Sequence, residues 1–345
     1  MSVAPPDRIA IILVNYNGAA DTIECVESIR EMKKPRGGVV VYVVDNASLD
    51  DSLPCLRQWL EAAQSPDAAE NVEQGAEIHG SQGDMRLVLL VSPDNRGFAA
   101  GCNLGLARAY SNPSVTHFWL LNNDTAVDPD AALQLLDSSM RSADRNISGS
   151  TLVYYDNPNI VQAAAGARYV RWMGRSRHVF KMEHLADIVD RRAPAFDYIV
   201  GASMFFSRCV LETIGYLPER YFLYVEEVDW CARARDNGIR LDWARGAVVL
   251  HKEGRSSGAE ARFARLGDDA FYFVSRNNLL YLWDRSRYFV LLSAAYSILQ
   301  ALGYRLRGDR AKIAIAARAI RHFWRLRNQV EPLRLPSRSD VNAQR

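Results

Sequence analysis

Three acidic residues, Glu226, Glu227 and Asp229, stand close together and are the first candidates for chemistry in this sequence. They open a predicted helix, because Val228 and Cys231 follow at helical spacing. The positive end of a helix dipole stabilises carboxylates in the first turn by about 0.3–1 kcal/mol each. For this stretch alone, ordinary helix electrostatics and a general base at the mouth of a cleft are both open.

Amides and carboxylates also follow three predicted strands, at the point where each strand ends. They are Asn15 and Asn17, Asp45 and Asn46, and Asn122 and Asp124. A glycine-punctuated loop with Asn95 and Arg96 follows a further strand. Polar groups gathered at the carboxyl edge of a parallel sheet are typical of nucleotide sites, although each loop alone is more typical of a structural turn. An aspartate can accept a hydrogen bond from the N–H of a nucleobase, while an arginine suits a diphosphate.

The elements that must position these side chains alternate between strand and helix. Continuous apolar runs predict buried strands at residues 9–14, 39–44, 86–91 and 117–121. Helical spacing predicts helices at residues 21–34, 51–63 and 130–143, and another that ends near residue 110. Residues 150–215 are less regular, residues 239–249 form a predicted strand, and the chain is helical from residue 268. This order predicts an α/β fold with a mostly parallel central sheet flanked by helices.

The composition limits the function classes. A chain of 345 residues, 48% hydrophobic and 24% charged, can form one large α/β domain and an appendage. Its net charge of +2 argues against a dedicated nucleic-acid binder. Five scattered cysteines without a C-x-x-C pair predict reduced thiols in a cytoplasmic protein. Neither a signal peptide nor a membrane-spanning helix is predicted.

Taken in order, these motifs resemble glycosyltransferase family 2, whose members use nucleotide-sugar donors and have the GT-A fold. The resemblance covers residues 9–278. It rests on Val14-Asn-Tyr-Asn17, Val44-Asp-Asn-Ala-Ser48, Asn95-Arg-Gly-Phe98 with Gly101-x-Asn103, Leu121-Asn-Asn-Asp-Thr125, Gly201-Ala-Ser-Met204, the stretch from Glu226 to Arg233, His251-x-x-Gly-x-Ser256 and Arg276-Asn277. The set is most similar to the rhamnosyltransferase branch of bacterial surface polysaccharide synthesis.

The resemblance implies roles for the residues at the strand ends. Asp45 is expected to contact the pyrimidine base. The other donor-binding residues are expected to be Asn15, Asn17, Asn95, Arg96, Asn103 and Asn122. Asp124 is the carboxylate that remains of the family's Asp-x-Asp motif, and His251 is expected to be the second ligand of a Mg²⁺ or Mn²⁺ ion. The cation would neutralise the departing nucleoside diphosphate.

The resemblance also assigns the acceptor side. Relatives carry Glu-Asp where this chain has Glu226-Glu227, so position names Glu227 as the base that deprotonates the acceptor hydroxyl, with Asp229 as the alternative. A neighbouring carboxylate or partial burial is expected to raise the pKa of Glu227. The acceptor-binding residues are expected to be Gly201, Ala202, Glu226 and Trp230. Trp172 is a further aromatic candidate for stacking on a sugar ring.

The C-terminal part has a separate pattern, with an apolar run at residues 289–302 and then eight Lys or Arg residues against one Asp up to residue 327. This suits the anionic inner face of the plasma membrane, where a polyprenyl-diphosphate-linked acceptor would lie. Packing on the enzyme or in a homodimer is the alternative. The predicted division is a GT-A domain at 1–265 with an acidic loop at 61–85, a helical basic extension at 266–330, and a disordered tail at 331–345.

The sequence therefore predicts a metal-dependent inverting glycosyltransferase of the cytoplasm, bound peripherally to the inner membrane face. The favoured reaction moves L-rhamnose from dTDP-rhamnose to a hydroxyl of a glycan or lipid-linked saccharide. The alternatives are a UDP-hexose donor, a nucleotidyltransferase, and a non-catalytic carbohydrate-binding or scaffold subunit. A nucleotidyltransferase would place a basic glycine-rich loop after the first strand, where this chain has Asn15-Tyr-Asn17.

Overall fold

The computed structural model describes residues 6–63, 77–79, 85–192, 194–252, 267–329 and 331–336. The strands in this part of the chain are β1 (Ile9–Asn15), β2 (Val39–Asp45), β3 (Glu77–His79), β4 (Met85–Val91), β5 (His117–Asn122), β6 (Thr125–Val127), β7 (Asn146–Tyr154), β8 (Asn157–Ala164), β9 (Gly166–Val170), β10 (Arg175–His178), β11 (Tyr198–Ile199), β12 (Ser203–Ser207) and β13 (Arg240–His251). The α-helices are α1 (Ala19–Glu31), α2 (Ser52–Ala63), α3 (Phe98–Tyr110), α4 (Ala131–Arg141), α5 (Leu185–Ile188), α6 (Arg208–Ile214), α7 (Glu226–Asp236), α8 (Asp268–Arg285), α9 (Val290–Leu306) and α10 (Ala311–Leu326).

The main sheet has the strand order β3-β4-β2-β1-β5-β12-β7-β13-β6, and β8 pairs with β7 outside this path. Strands β4, β2, β1 and β5 are parallel neighbours, as are β7 and β13. Strand β12 lies antiparallel between β5 and β7. A separate small sheet has the order β10-β9-β11. The predicted α/β fold with a mostly parallel sheet and flanking helices is confirmed.

Strand β1 shows how the sheet carries two helical layers. All seven of its residues are buried, and successive side chains point to opposite faces. Ile11 belongs to the core under α1, α2 and α4, whereas Ile12 belongs to the core under α3, α6 and α7. Burying such a side chain contributes roughly 1.5–3 kcal/mol. An uninterrupted apolar run is therefore what this strand needs.

The register of the parallel strands brings the predicted site residues together. Asn15 at the end of β1 is opposite Asp45 at the end of β2. On the other side of β1, Val14 is opposite Asn122 at the end of β5. Parallel strands end at the same edge of a sheet, so three loops that are far apart in sequence form one rim.

Two regions are more ordered than the sequence predicted. Residues 150–215 contain most of β7 and all of β8 to β12. Strands β8 and β10 pair with the strands directly before them, whereas β12 pairs with the distant β5, a partner that local patterns do not show. Residues 331–336, predicted to begin a disordered tail, lie against the body. The carboxylate of Glu331 accepts hydrogen bonds from the amides of Glu219 (2.9 Å) and Arg220 (3.0 Å). The Arg334 carbonyl likewise accepts from the Tyr216 amide (3.0 Å), so both Glu331 and Arg334 contact the body.

Helix α8 takes part in two hydrophobic cores. Leu279, Leu280 and Leu282 belong to the same core as β1 and α3, whereas Phe271 forms a smaller cluster with residues of α9 and α10, including Ala301 and Ile315. Within the predicted acidic loop, Glu77–His79 pairs antiparallel with β4. Residues 64–76 and 80–84 of that loop, and residues 337–345 of the tail, lie outside the described residues.

Candidate active site

Asp45 is held rigidly at the end of β2. Its Oδ1 accepts hydrogen bonds from Asn15 Nδ2 (2.8 Å) and Ser48 Oγ (2.6 Å), and its Oδ2 accepts from the Ser48 amide (3.2 Å). Asn15 and Asp45 are both buried. Asn17 is exposed and caps the same loop, since its Oδ1 accepts from the Leu49 amide (2.8 Å). Asn15 thus supports Asp45, and the loops that follow β1 and β2 together form one wall of the rim.

The glycine-rich loop lies beside this wall. Asn95 Oδ1 accepts from the Gly97 amide (2.9 Å) and from Asn46 Nδ2 (3.1 Å), which ties the loop to the end of β2. Arg96 is largely exposed and pairs with Glu219 (2.9 Å). This pair holds the Arg96 guanidinium at the surface, on the same carboxylate that Asn103 contacts.

Asn103 is turned away from the rim. It is buried in α3, where its amide group exchanges hydrogen bonds with the backbone of Leu217 (2.9 and 3.0 Å). Its Nδ2 also donates to Glu219 (3.0 Å). Asn103 therefore ties α3 to the segment before Glu219, and this placement argues against the donor contact predicted for it.

Asp124 and His251 are neighbours at the opposite end of the rim. Asp124 Oδ1 lies 3.2 Å from His251 Nε2, and Asn122 Nδ2 lies 3.4 Å from the same ring nitrogen. Burial disfavours ionisation of Asp124, but the hydrogen bond and charge of His251 outweigh it and lower the pKa of Asp124. Gly254 and Ser256 of the same sequence motif lie outside the described residues.

The donor set of this pair fits a divalent cation. Gln162 Oε1 lies 2.7 Å from His251 Nδ1, where it can accept a hydrogen bond from that nitrogen and orient Nε2 towards the Asp124 carboxylate. A ring nitrogen and a carboxylate oxygen that face each other can together bind a divalent cation. Within the described residues no group of three or more His, Cys, Asp and Glu forms a complete metal cage. A site of this kind is completed by substrate phosphates and water.

The two glutamates at the start of α7 are the perturbed acids of the site. Burial and then the charge of Glu227 raise the pKa of Glu226 well above its ordinary value. Burial raises the pKa of Glu227 to about 7, although hydrogen bonds from the backbone at Glu227 and Val225 oppose this. One carboxylate oxygen of each has no hydrogen-bond partner among the described residues. A partly buried carboxylate with a pKa near 7 is suited to accept a proton.

Gly201 and Ala202 lie between the acidic helix and the strand-end rim. A side chain at Gly201 would first meet Glu227, whose Cβ and Cγ lie 3.9 Å from the position of the added carbon. The carbonyl of Ala202 accepts from the Asn122 amide (3.0 Å). Because Gly201 has no side chain, the space next to the Cβ and Cγ of Glu227 holds no other side chain at this position.

The structure does not bring Asp229 and Trp230 to this space. Asp229 accepts from the Tyr221 hydroxyl (3.1 Å) and pairs with Arg285 of α8 (3.4 Å). Trp230 is fully buried, with its indole N–H donating to the Gly215 carbonyl (2.9 Å) and its ring edge against Phe206. Their surroundings argue against Asp229 as base and against an acceptor contact by Trp230.

The backbone before Glu226 is strained, which the sequence did not indicate. Phe222, Tyr224 and Val225 have φ angles of 67°, 68° and 78°, a left-handed conformation that costs a residue with a side chain about 1–2 kcal/mol. Asn277 and Arg276 of α8 hold this backbone by hydrogen bonds. Arg276 and Asn277 could be singled out in the sequence only through the family resemblance. Nothing in the sequence pointed to Gln162, the neighbour of His251.

Comparisons with known proteins agree with this geometry. The family model described as "Glycosyl transferase family 2" matches residues 10–206. The low-salt glycan biosynthesis hexosyltransferase Agl10 of Haloferax volcanii is 25% identical over 248 residues, 72% of this chain and 68% of its own.

Among solved structures, S. aureus TarS in complex with UDP-GlcNAc has a TM-score of 0.54 at 14% identity, covering 92% of this chain and 80% of its own. The mannosyltransferase PcManGT of Pyrobaculum calidifontis, in complex with GDP-Man and Mn²⁺, has a TM-score of 0.51 at 15% identity, covering 98% and 81%. At these identities the two structures show a shared GT-A fold. With its fold, its strand-end rim and more than half of its length matched by the family model, the chain belongs to glycosyl transferase family 2.

Proposed function

We propose that this glycosyltransferase is a metal-dependent, inverting hexosyltransferase of glycan synthesis, with Glu227 as its base. The observation that carries the proposal is the Glu227 carboxylate, which has a pKa near 7, an oxygen without a hydrogen-bond partner among the described residues, and a side-chain stem that lies beside Gly201. Agl10, a hexosyltransferase of glycan biosynthesis by name, supports the substrate class. The Mn²⁺ in the PcManGT complex supports a divalent cation on Asp124 and His251.

The proposed reaction is a single displacement at the anomeric carbon. The Glu227 carboxylate takes the proton of the acceptor hydroxyl as its oxygen attacks this carbon. The bond to the donor phosphate oxygen breaks, and the nucleoside diphosphate leaves with the bonding electrons. Asp124 and His251 would hold a divalent cation, which would neutralise the charge of the diphosphate. Asp45, held by Asn15 and Ser48, accepts a hydrogen bond from the nucleobase.

The donor that we propose is dTDP-L-rhamnose, with UDP-hexoses as the second choice. The similarity of the motif set to rhamnosyltransferases supports the first. The TarS complex with UDP-GlcNAc supports the second choice, because a protein of the same fold holds a UDP-linked sugar. In either case the acceptor is a hydroxyl of a glycan or of a polyprenyl-diphosphate-linked saccharide.

A thermal-shift screen of nucleotide sugars with Mn²⁺ or Mg²⁺ identifies the donor, because a ligand at 100-fold over its Kd stabilises the fold by about 2.7 kcal/mol. Transfer of the sugar from the selected donor is then measured for the wild type and for Glu227→Gln. We expect transfer by the wild type with the cation and almost none by the variant. Full activity of Glu227→Gln would remove the proposed base. Donor binding without any turnover would indicate a carbohydrate-binding or scaffold subunit instead.

We also propose that α9 lies on the anionic inner face of the plasma membrane. Its outward face is apolar, with Leu291 75% exposed and Leu299 64% exposed, whereas its buried face includes Ser293 and Ser297. One helix in the described part of the chain, Arg287–Leu306, is long and apolar enough to cross a membrane by length and composition. An apolar outward face suits a helix that lies in the membrane interface, since the opposite face, with its small serine side chains, packs against the protein.

The charges at the ends of this apolar face favour a bilayer over a second copy of the chain. Arg287 stands at one end, and Arg305, Arg307 and Arg310 stand at the other. Two copies of α9 packed against each other in either direction would bring these arginines close together, whereas each basic residue near an anionic surface contributes about 1 kcal/mol. Trp172 lies beside the helix, edge-on to Tyr296, so its exposed ring extends the apolar surface.

Flotation with phosphatidylglycerol vesicles tests this surface. The double variant Leu291→Ser and Leu299→Ser is expected to lose flotation. The control Met140→Ser, which removes an exposed apolar side chain on α4, is expected to keep it. Unchanged flotation of the double variant would refute the membrane face. A fall in molar mass of that variant in light scattering would show that α9 forms a homodimer interface instead.

A further inference from the structure

The segment from Tyr221 to Val225, which leads directly into Glu226 and Glu227, has an unusual backbone. Three of its residues, Phe222, Tyr224 and Val225, are in the left-handed region, and none of the five is glycine. Residues with a Cβ keep this conformation only when the surrounding structure imposes it. Something outside the segment must therefore hold it.

Asn277 of α8 provides one side of that support. Its Nδ2 donates to the carbonyl oxygens of Tyr221 (2.8 Å), Leu223 (2.7 Å) and Tyr224 (2.9 Å). Arg276 Nη2 adds a bond to the Tyr221 carbonyl (2.7 Å). Both side chains are buried, so no water can replace them without a rearrangement of α8. The two N–H bonds of one amide group, one of them shared, thus hold three carbonyls within four residues of the backbone.

The glycine-rich loop on the donor side provides the other support. The Phe98 amide donates to the Phe222 carbonyl (2.7 Å). A Cβ on Gly97 would lie only 2.1 Å from that carbonyl oxygen, and Gly97 itself has φ of 96°. The segment is therefore held between the donor-side loop and α8, with the two glutamates at its exit.

We propose that Asn277, assisted by Arg276, is a positioning residue that fixes the strained 221–225 segment and thereby aims the Glu227 carboxylate at the acceptor. This rests on the proposed function, in which Glu227 is the base. A general base must lie within hydrogen-bond reach of the hydroxyl, and a misplacement of about 1 Å can reduce the rate about 100-fold. The Tyr221, Leu223 and Tyr224 carbonyls need donors, so an acceptor group in place of the Asn277 amide cannot fulfil this role.

The neighbouring residue Asn278 offers a matched control. It is also buried in α8, but its Nδ2 donates to the Gly174 carbonyl (2.5 Å) and its Oδ1 accepts from the Tyr169 hydroxyl (2.6 Å). Asn278→Ala therefore weakens the attachment of the same helix without touching the 221–225 segment. Asn277→Ala and the isosteric Asn277→Asp remove the donors to the segment.

The experiment measures kcat and KM for the donor and the acceptor, together with the melting temperature, for all three variants in the full chain. We expect kcat of Asn277→Ala and Asn277→Asp to fall about 100-fold, with the donor KM changed less than about threefold. Asn278→Ala is expected to lower the melting temperature by about as much as Asn277→Ala does. It is expected to keep kcat within about threefold of the wild-type value. Equal kcat losses for Asn277→Ala and Asn278→Ala, or an unchanged kcat in both Asn277 variants, would overturn the proposal.

The combination of Glu227→Gln with Asn277→Ala separates this proposal from the proposed function. If Asn277 acts through Glu227, the double variant is no slower than Glu227→Gln alone. If the kcat losses of the two single variants multiply in the double variant, the positioning role is overturned and Glu227 remains the base. A fully active Glu227→Gln would instead overturn the proposed base, and with it this inference.

Discussion

Replacing Glu227 with Gln is expected to stabilise the fold above neutral pH while it removes activity. Burial raises the pKa of Glu227 from an ordinary 4.5 to about 7 in the folded chain. As the pH rises from about 4.5 to about 7, the unfolded chain loses a proton that the folded chain keeps, so the free energy of unfolding falls. At about 1.4 kcal/mol for each pKa unit, the loss by pH 8 is about 3 kcal/mol. A glutamine has no carboxyl proton to lose.

Urea denaturation near pH 5 and near pH 8 measures this difference. We expect the variant and the wild type to agree within about 1 kcal/mol near pH 5, and the variant to be more stable by about 3 kcal/mol near pH 8. Glu61→Gln, on the exposed face of α2, removes the same charge as a control and is expected to leave the pH profile unchanged. A constant offset between Glu227→Gln and the wild type at both pH values would refute the argued burial cost.

The same titration predicts kinetics. The rate of sugar transfer by the wild type should increase as the pH rises through about 7. Glu227→Gln should lower kcat by about 10²–10⁴-fold, and both effects are measured as the rate of product formation. Asp229→Asn should keep most of the activity in the same assay, because Asp229 is engaged with Tyr221 and Arg285. Asp124→Asn and His251→Ala should each lose the Mn²⁺-induced thermal shift, and Gln162→Ala should weaken Mn²⁺ binding by about 10–100-fold in a titration. Gly97→Ala should lower the melting temperature and kcat together, because its Cβ would meet the Phe222 carbonyl.

The central part of the fold was predictable because its signals are local. Strands β1 and β2 are buried at every position, so the apolar runs that mark them are uninterrupted. Parallel pairing then places the residues after each strand at one edge, whatever the loops between them do. For this reason Asn15, Asp45 and Asn122 could be expected to be neighbours before any coordinates were known.

The choice between Glu227 and Asp229 could not be made in the same way. Two residues apart on a helix means about 200° of rotation, so the two carboxylates must point to different sides. The sequence gives this angle, but it does not tell which side faces the cleft. In the structure Gly201 lies beside Glu227, whereas Arg285 lies beside Asp229. Both partners come from other parts of the chain, and only the tertiary packing decides the orientation.

The strained segment before Glu226 marks the limit of local prediction. Nothing in the types of Phe222, Tyr224 and Val225 favours a left-handed backbone, and a predictor based on propensity would give them extended conformations. Their conformation follows from Asn277, about 50 residues later in the sequence, and from Gly97, more than 100 residues earlier.

A division of the chain at residue 265 therefore separates the acids from the residues that hold them. Helix α8 completes the core with Leu279 and Leu280, and it completes the site with Arg276 and Asn277. The family model ends at residue 206, so both α7, which carries the acids, and α8, which supports them, follow the part that the family model matches. It follows that the proposed acceptor side of the site is built by the later part of the chain. The proposed donor side is built mainly by the parallel strands at its start.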